Sequence, residues 1–211
     1  VAIIGPNGAG KSTLLLHLNG IRQGDGDVLI EGIVITKGTL RTVRAKVGIV
    51  FEDPDDQLFC PTIFDDVAFG LLNMQVPLER IPQRVRETLR RVGLEGYEDR
   101  SSFHISLGEK KRAALATVLA MEPSILVLDE PSSNLDPKNR RNLIRFLRDL
   151  DHTMIIASHD LDMGLDICSR TVILNRGKVV ADGPAGETLR NRDLLEQNDL
   201  ELPRRWQAPE P

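Results

Sequence analysis

The chain has 211 residues, enough for one substantial hydrophobic core, with 27 basic and 31 acidic residues and a net charge of −4. That balance lacks the strongly basic footprint of a nucleic-acid binder, so no nucleic-acid partner is expected. Cys60 and Cys168 form no paired motif, which argues against a disulfide framework or zinc site and suits a reducing cytosol. No signal peptide is visible, and apolar runs such as Ile125–Leu128 are far shorter than the about 20 residues of a membrane span.

In chain order, Val1–Ile4 reads as a short buried strand, followed by a glycine-rich turn and a helix from about Lys11 to Asn19. Gly24-Asp25-Gly26-Asp27 is turn chemistry. Val28–Ile35 and Val47–Phe51 read as strands, rich in Val and Ile. From about Phe64 to Met121 the pattern is mostly helical. Leu78, Ile81, Val85, Leu89 and Val92 fall on one helix face, and Gly93 marks a stop. Arg80, Arg84, Arg86, Arg90 and Arg91 read as the solvated side of that helix. Ile125–Leu128 is a continuous apolar run of the kind buried on both faces of a parallel sheet. A helix from about Lys138 carries Leu143, Ile144, Leu147 and Leu150 on one face. Met154–Ala157 (strand), Asp160–Cys168 (helix) and Thr171–Leu174 (strand) follow, and the proline-rich tail Leu202–Pro211 is expected to be loosely ordered. Alternating strands and helices imply an α/β core with a mainly parallel sheet, split by a helical insertion.

The run Gly5-Pro6-Asn7-Gly8-Ala9-Gly10-Lys11-Ser12 fits the phosphate-loop pattern G-x-x-x-x-G-K-[ST] between a strand and a helix. Its glycines let backbone N–H groups converge on phosphate oxygens at a helix N-terminus. In this chemistry Lys11 reaches the β- and γ-phosphates of ATP and Ser12 ligates Mg²⁺. The apolar strand ending Leu128-Asp129-Glu130-Pro131 delivers two acids to the ligand edge of such a sheet. Asp129 is suited to hold Mg²⁺ through water, and Glu130 to polarise an attacking water. Ser106 and Glu109 make an S-x-x-E capping box, which opens a helix whose N-terminus also suits a phosphate.

Ile105-Ser106-Leu107-Gly108-Glu109 resembles the signature of ABC ATPases, which usually reads L-S-G-G-Q, with Leu107 and Glu109 as departures. Ser132-Ser133-Asn134-Leu135-Asp136 resembles that family's D-loop, and His159 in Ala157-Ser158-His159-Asp160 its switch histidine. The other histidines, His17, His104 and His152, lack such context. The resemblance implies a P-loop NTPase (RecA-like) core with an inserted helical subdomain: core 1–61 and 122–200, helices 62–121, tail 201–211. It implies ATP and Mg²⁺ held by Gly5 through Thr13 and Asp129 of one chain. Ser106, Gly108, Glu109 and Asp136 meet the nucleotide across a head-to-tail dimer. Glu130, His159 and Glu52 stand at the catalytic positions. Glu52 replaces the glutamine of the family's Q-loop. It keeps an oxygen ligand for Mg²⁺ but adds negative charge near the γ-phosphate, so slower hydrolysis or altered coupling is expected.

Asp53-Pro54-Asp55-Asp56-Gln57-Leu58-Phe59 and Asp65-Asp66-Val67-Ala68-Phe69-Gly70 look like the energy-coupling-factor importers, nearest their cobalt/nickel ATPase subunits. The resemblance implies three partners: a second ATPase subunit, a transmembrane coupling protein and a substrate-binding membrane protein. The site of action is then the cytoplasmic face of the cell membrane. About Gln57 to Gly70 would help form the groove for a helix of the coupling protein. Alternatives are a weakly hydrolysing partner in an ATPase heterodimer, a vitamin importer ATPase, and a soluble ABC ATPase acting on DNA or ribosomes. The last is disfavoured because Lys11 and Ser106 are too close for a coiled-coil insertion and the chain has room for one ATPase domain. The sequence opens on Val1 inside an apolar run. The family's N-terminal aromatic, which stacks on adenine, is therefore expected to be missing. Stacking is worth ~1–3 kcal/mol, so ATP binding roughly ten- to a hundredfold weaker is expected without it.

Overall fold

The computed structural model describes residues 1–207. Its elements in chain order are β1 (Ala2–Ile4), α1 (Lys11–His17), β2 (Leu29–Ile30), β3 (Ile33–Val34), α2 (Leu40–Lys46) and β4 (Val47–Val50). Then come α3 (Ile63–Asn73), α4 (Ile81–Arg91), α5 (Leu107–Leu119), β5 (Ile125–Asp129), α6 (Pro137–Arg148) and β6 (Thr153–Ser158). The chain closes with α7 (Leu161–Ile167), β7 (Arg170–Asn175), β8 (Lys178–Pro184), α8 (Ala185–Thr188) and α9 (Arg192–Glu196). No helix among the described residues is long and apolar enough to cross a membrane.

The main sheet runs in the order β4-β5-β6-β1-β7-β8, parallel except for β8, which pairs antiparallel with β7. The antiparallel edge has a local cause. Arg176 and Gly177 both take positive φ, 49° and 73°, and two such residues make the tight turn whose twist suits a hairpin. The same device corrects the reading of Val28–Ile35. Glu31 and Gly32, at φ 49° and 80°, fold that run back on itself as the β2–β3 hairpin.

Parallel strands with helices on both faces must be apolar throughout. Leu126, Val127 and Leu128 of β5 are buried, as are Ile3 and Ile4 of β1 and Val47 to Val50 of β4. Each fully buried Leu or Ile stabilises the fold by about 1.5–3 kcal/mol relative to exposure. The helical stretch resolves into α3, α4 and α5. Ile63, Val67 and Leu71 of α3, Val85 and Leu89 of α4, and Leu115 and Leu119 of α5 share one apolar cluster. Val85, Leu89 and Val92 face that cluster as their spacing requires, but Leu78 does not. It lies in a short turn before α4 and is 71% exposed. Pro82 explains this, because proline is tolerated only in a helix's first turn and so sets the start at Ile81. Helix α4 ends as expected: Leu94 N–H donates to Leu89 and Gly93 N–H to Arg90. Four of the five arginines are exposed, and Arg84 reaches back to the Ala120 carbonyl.

The tail corrects its expectation from Leu202 to Gln207. Arg205 pairs with Asp162 at 2.6 Å and Asp166 at 2.8 Å, and Trp206 packs against the core. The rest of that expectation, residues 208–211, lies outside the described residues.

Helix α5 crosses β4 at Gly48, where a Cβ would stand 2.2 Å from Val118 Cγ1 and 3.0 Å from Pro123 Cγ. Only a residue without a side chain allows this approach. Gly48→Ala is expected to lower stability by about 1–3 kcal/mol, the usual range for overpacking, read as a shifted denaturant midpoint.

Candidate functional site

The loop from Gly5 to Gly10 leaves β1 at the C-terminal edge of the sheet and enters α1. Gly10, the residue before the helix, has φ 101°, a conformation that glycine adopts freely and other residues do not. The Ala9 carbonyl accepts from Gly177 N–H in the β7–β8 turn, which props the loop from behind. Lys11 is 7% exposed; its ammonium donates to the Gly5 and Pro6 carbonyls at 2.8 and 3.3 Å and lies 3.7 Å from Glu130.

Glu130, just past the end of β5, is the structural centre of the site. It sits at φ 41° and is 6% exposed. A buried carboxylate requires charged or hydrogen-bonding partners, and this one has several. Its Oε2 accepts from Ser158 Oγ at 3.0 Å and His159 N–H at 3.2 Å, and lies 2.9 Å from His159 Nδ1. Strand register makes this possible: Asp129 pairs with Ala157, which sets Glu130 beside the end of β6. From the opposite side, Lys111 of α5 donates to the Glu130 carbonyl at 3.2 Å and to Ser133 at 2.9 Å. Burial pushes the Lys111 ammonium down against the opposing pull of Glu52, Glu130 and Asp53.

Asn7 through Thr13, Glu52, Glu130 and His159 line one cleft of about 350 Å³. Asp129 is buried behind it. Burial pushes its carboxyl up, Glu130 and Glu52 push it further, and Ser12 and Lys11 pull it back. Its Oδ1 is buried with no hydrogen-bond partner among the described residues. A buried acceptor of this kind beside Ser12 is what a hard cation would satisfy, so Mg²⁺ fits here. Among the described residues no group of three or more His, Cys, Asp or Glu could hold a metal. A Mg²⁺ at this place would share phosphate oxygens of the nucleotide, as that ion usually does.

Ser106, Gly108, Glu109 and Asp136 are not brought to this cleft. Ser106 and Glu109 form the expected capping box of α5. Glu109 also accepts the Tyr97 hydroxyl at 2.6 Å; that bond, with those from Ser106, holds its carboxyl down at about 2. Gly108 lies against Asn139, whose amide group would stand 2.9–3.1 Å from a Cβ there. Asp136 caps α6, accepting from the N–H groups of Lys138 and Asn139. Glu52 is exposed at the mouth of the cleft.

Three functional contacts escaped sequence reasoning. Ser158 holds Glu130, and Lys111 docks α5 onto it. Gln57 ties the segment after Glu52 to α5, accepting from Phe51 N–H and donating to Ala114 O and Thr117 Oγ1 at 2.9 and 2.7 Å. Only Ser158 carried a signal, as a hydroxyl beside a histidine at a strand end.

A buried Lys11 and Glu130 facing one cleft, with an unsatisfied Asp129 behind, suit a nucleoside triphosphate. The family model described as ABC transporter matches residues 1–133. The chain belongs to the ABC transporter ATPase family. It is 51% identical over 205 residues to an energy-coupling factor transporter ATP-binding protein, EcfA, of Carboxydothermus hydrogenoformans, covering 95% of this chain and 76% of that one. Its fold is similar to cbiO1 of Clostridium perfringens, part of the ABC transporter complex cbiONQ. The TM-score there is 0.80 at 38% identity, covering 96% of this chain and 84% of that one. A dimeric ATP-binding cassette bound to ADP and Pi in a post-hydrolysis state matches with TM-score 0.77 at 26% identity, over 87% and 84% of the chains. This ABC ATPase therefore has the P-loop NTPase fold, and its reaction is ATP hydrolysis.

Tyr97 gives the signature segment a pH signature. Glu109 titrates below its unfolded value, so its contribution is present above about 4.5 and is lost as pH falls through about 2. Tyr97→Phe is expected to lower the denaturant midpoint at pH 7. The gap from the parent should shrink steadily as pH falls below about 4.5. Midpoints across that range check it.

Proposed function

We propose that this ABC ATPase is the ATP-hydrolysing subunit of an energy-coupling-factor importer for cobalt or nickel ions. It acts with a second ATPase subunit, a transmembrane coupling protein and a substrate-binding membrane protein, at the cytoplasmic face of the cell membrane. The clamped carboxylate of Glu130 carries the catalytic part of this reading. The likeness to EcfA and to cbiO1 supports the transport part.

In the proposed mechanism, backbone N–H groups of Gly8 to Thr13 receive the phosphates and Lys11 shifts from the loop carbonyls to the β- and γ-oxygens. Mg²⁺, held by Ser12 and Asp129 with Glu52 at the cleft mouth, would neutralise phosphate charge. Glu130 orients the attacking water and accepts its proton as the oxygen bonds to the γ-phosphorus and the bond to ADP breaks. His159, 64% exposed and lining the cleft beside Glu130, would steady the γ-phosphate. Ser106, Gly108, Glu109 and Asp136 serve the nucleotide of the facing subunit, which accounts for their distance from this chain's own cleft.

The exposed Phe59 and Phe69 meet edge-to-face with centroids 5.1 Å apart, next to the half-exposed Leu72. This apolar patch on the 57–70 segment is the proposed seat for a helix of the coupling protein. Gln57 connects it to α5 and hence to the signature.

Glu52, Leu107 and Glu109 favour a weakly hydrolysing partner as the second reading. Against it, Glu109 is matched by Tyr97 and completes its cap, and Glu130 keeps every contact that fixes it. Steady-state hydrolysis by the full-length protein separates the two. Glu130→Gln is expected to cut kcat by about 10²–10⁴-fold, the span of general-base catalysis, while ATP still binds. A parent that binds ATP without hydrolysing it would establish the second reading instead.

A further inference from the structure

We propose that Arg140 is a positioning residue for ATP hydrolysis, locking the loop that carries His159 to the segment that carries Asp136. This rests on the reading of His159 as a γ-phosphate contact.

Arg140 lies in the first turn of α6, and its N–H donates to the Asp136 carbonyl at 2.9 Å. Its guanidinium grips both oxygens of Asp160, Nε to Oδ2 at 2.7 Å and Nη2 to Oδ1 at 2.9 Å. Such a fork fixes direction as well as distance, which a lysine ammonium does not. Asp160 directly follows His159 and caps α7, accepting Met163 N–H at 3.0 Å. Ser132, the first residue of the D-loop-like segment, donates to the same carboxylate at 3.3 Å. Burial opposes ionisation of Asp160, but Arg140 and the cap hold its carboxyl below the usual range.

From Asp160 the chain of contacts runs to the reacting centre. Its N–H donates to Ser158 Oγ at 3.0 Å, and that hydroxyl donates to Glu130. Among the described residues the His159 ring, mostly exposed, forms an ion pair with Glu130 alone. Its direction is therefore set by the backbone between Ser158 and Asp160. A partly exposed ion pair adds little to stability, so the geometric role is the larger one. Because Asp136 caps α6, a shift of the D-loop on subunit closure passes through Arg140 to His159.

The test uses the full-length ATPase dimer with Arg140→Met, Arg140→Lys, His159→Ala and the Arg140→Met/His159→Ala double variant. Arg140→Met is expected to lower kcat roughly ten- to a hundredfold, the effect of a small misplacement, with KM for ATP changed by less than about twofold. Arg140→Lys should recover part of the loss. The double variant should be no slower than His159→Ala alone, a non-additivity that a merely structural role would not produce. Asp160→Asn breaks the pair from its other side and should match Arg140→Met should that protein fold poorly. Wild-type kcat in Arg140→Met or in Asp160→Asn, or additive losses in the double variant, would overturn the proposal. A wild-type rate in His159→Ala would overturn the underlying reading of His159, a distinct result.

Discussion

A carboxylate that is buried and must stay paired shapes this molecule. Glu130 has almost no access to solvent, so its carboxylate and carbonyl need partners. Lys11 comes from the phosphate loop, Ser158 and His159 from the end of β6, and Lys111 from α5. Holding one acid in place therefore holds the phosphate loop, the end of β6 and α5 in register. The same reasoning explains the positive φ at Glu130, a strained turn kept by surrounding contacts at a functional position.

The sheet order supplies the rest. With β1 between β6 and β7, and β5 beyond β6, the loop after β1 opens next to the ends of both acid- and histidine-bearing strands. Ligands gather at such carboxyl ends, and here one cleft opens beside them. The capping box of Ser106 and Glu109 and the cap at Asp136 lie elsewhere, each finished by local hydrogen bonds. Most of the residues that the family resemblance assigns to the nucleotide are thus gathered by the fold of one chain; Ser106, Gly108, Glu109 and Asp136 are not. On the proposed mechanism a facing subunit gathers the others.

The legible parts of the sequence were those whose cause is local. The phosphate loop, the S-x-x-E cap and the Gly93 stop each lie within a few residues, and the structure forms the cap and the stop as read. The period of Val85, Leu89 and Val92 also survives, because a helix face needs no information from elsewhere. What failed needed either backbone detail or distance. Glu31-Gly32 turns tightly through positive φ, and the apolar, Val- and Ile-rich run around it conceals that. Leu78 was lost to Pro82. Leu202 to Gln207 are ordered because Arg205 finds carboxylates more than three dozen residues away on α7. Ser158 and Lys111 reach Glu130 only through strand register and helix docking, which no short pattern encodes.

Whether two chains share each site is tested most directly by complementation. Lys11→Ala and Ser106→Arg are each expected to abolish hydrolysis in the full-length protein. Mixed in equal amounts with subunit exchange, they should recover about a quarter of the wild-type rate, since half of the two-fold dimers are mixed and each carries one intact site. A mixture as inactive as its parts would contradict a site shared head-to-tail between two copies of this chain.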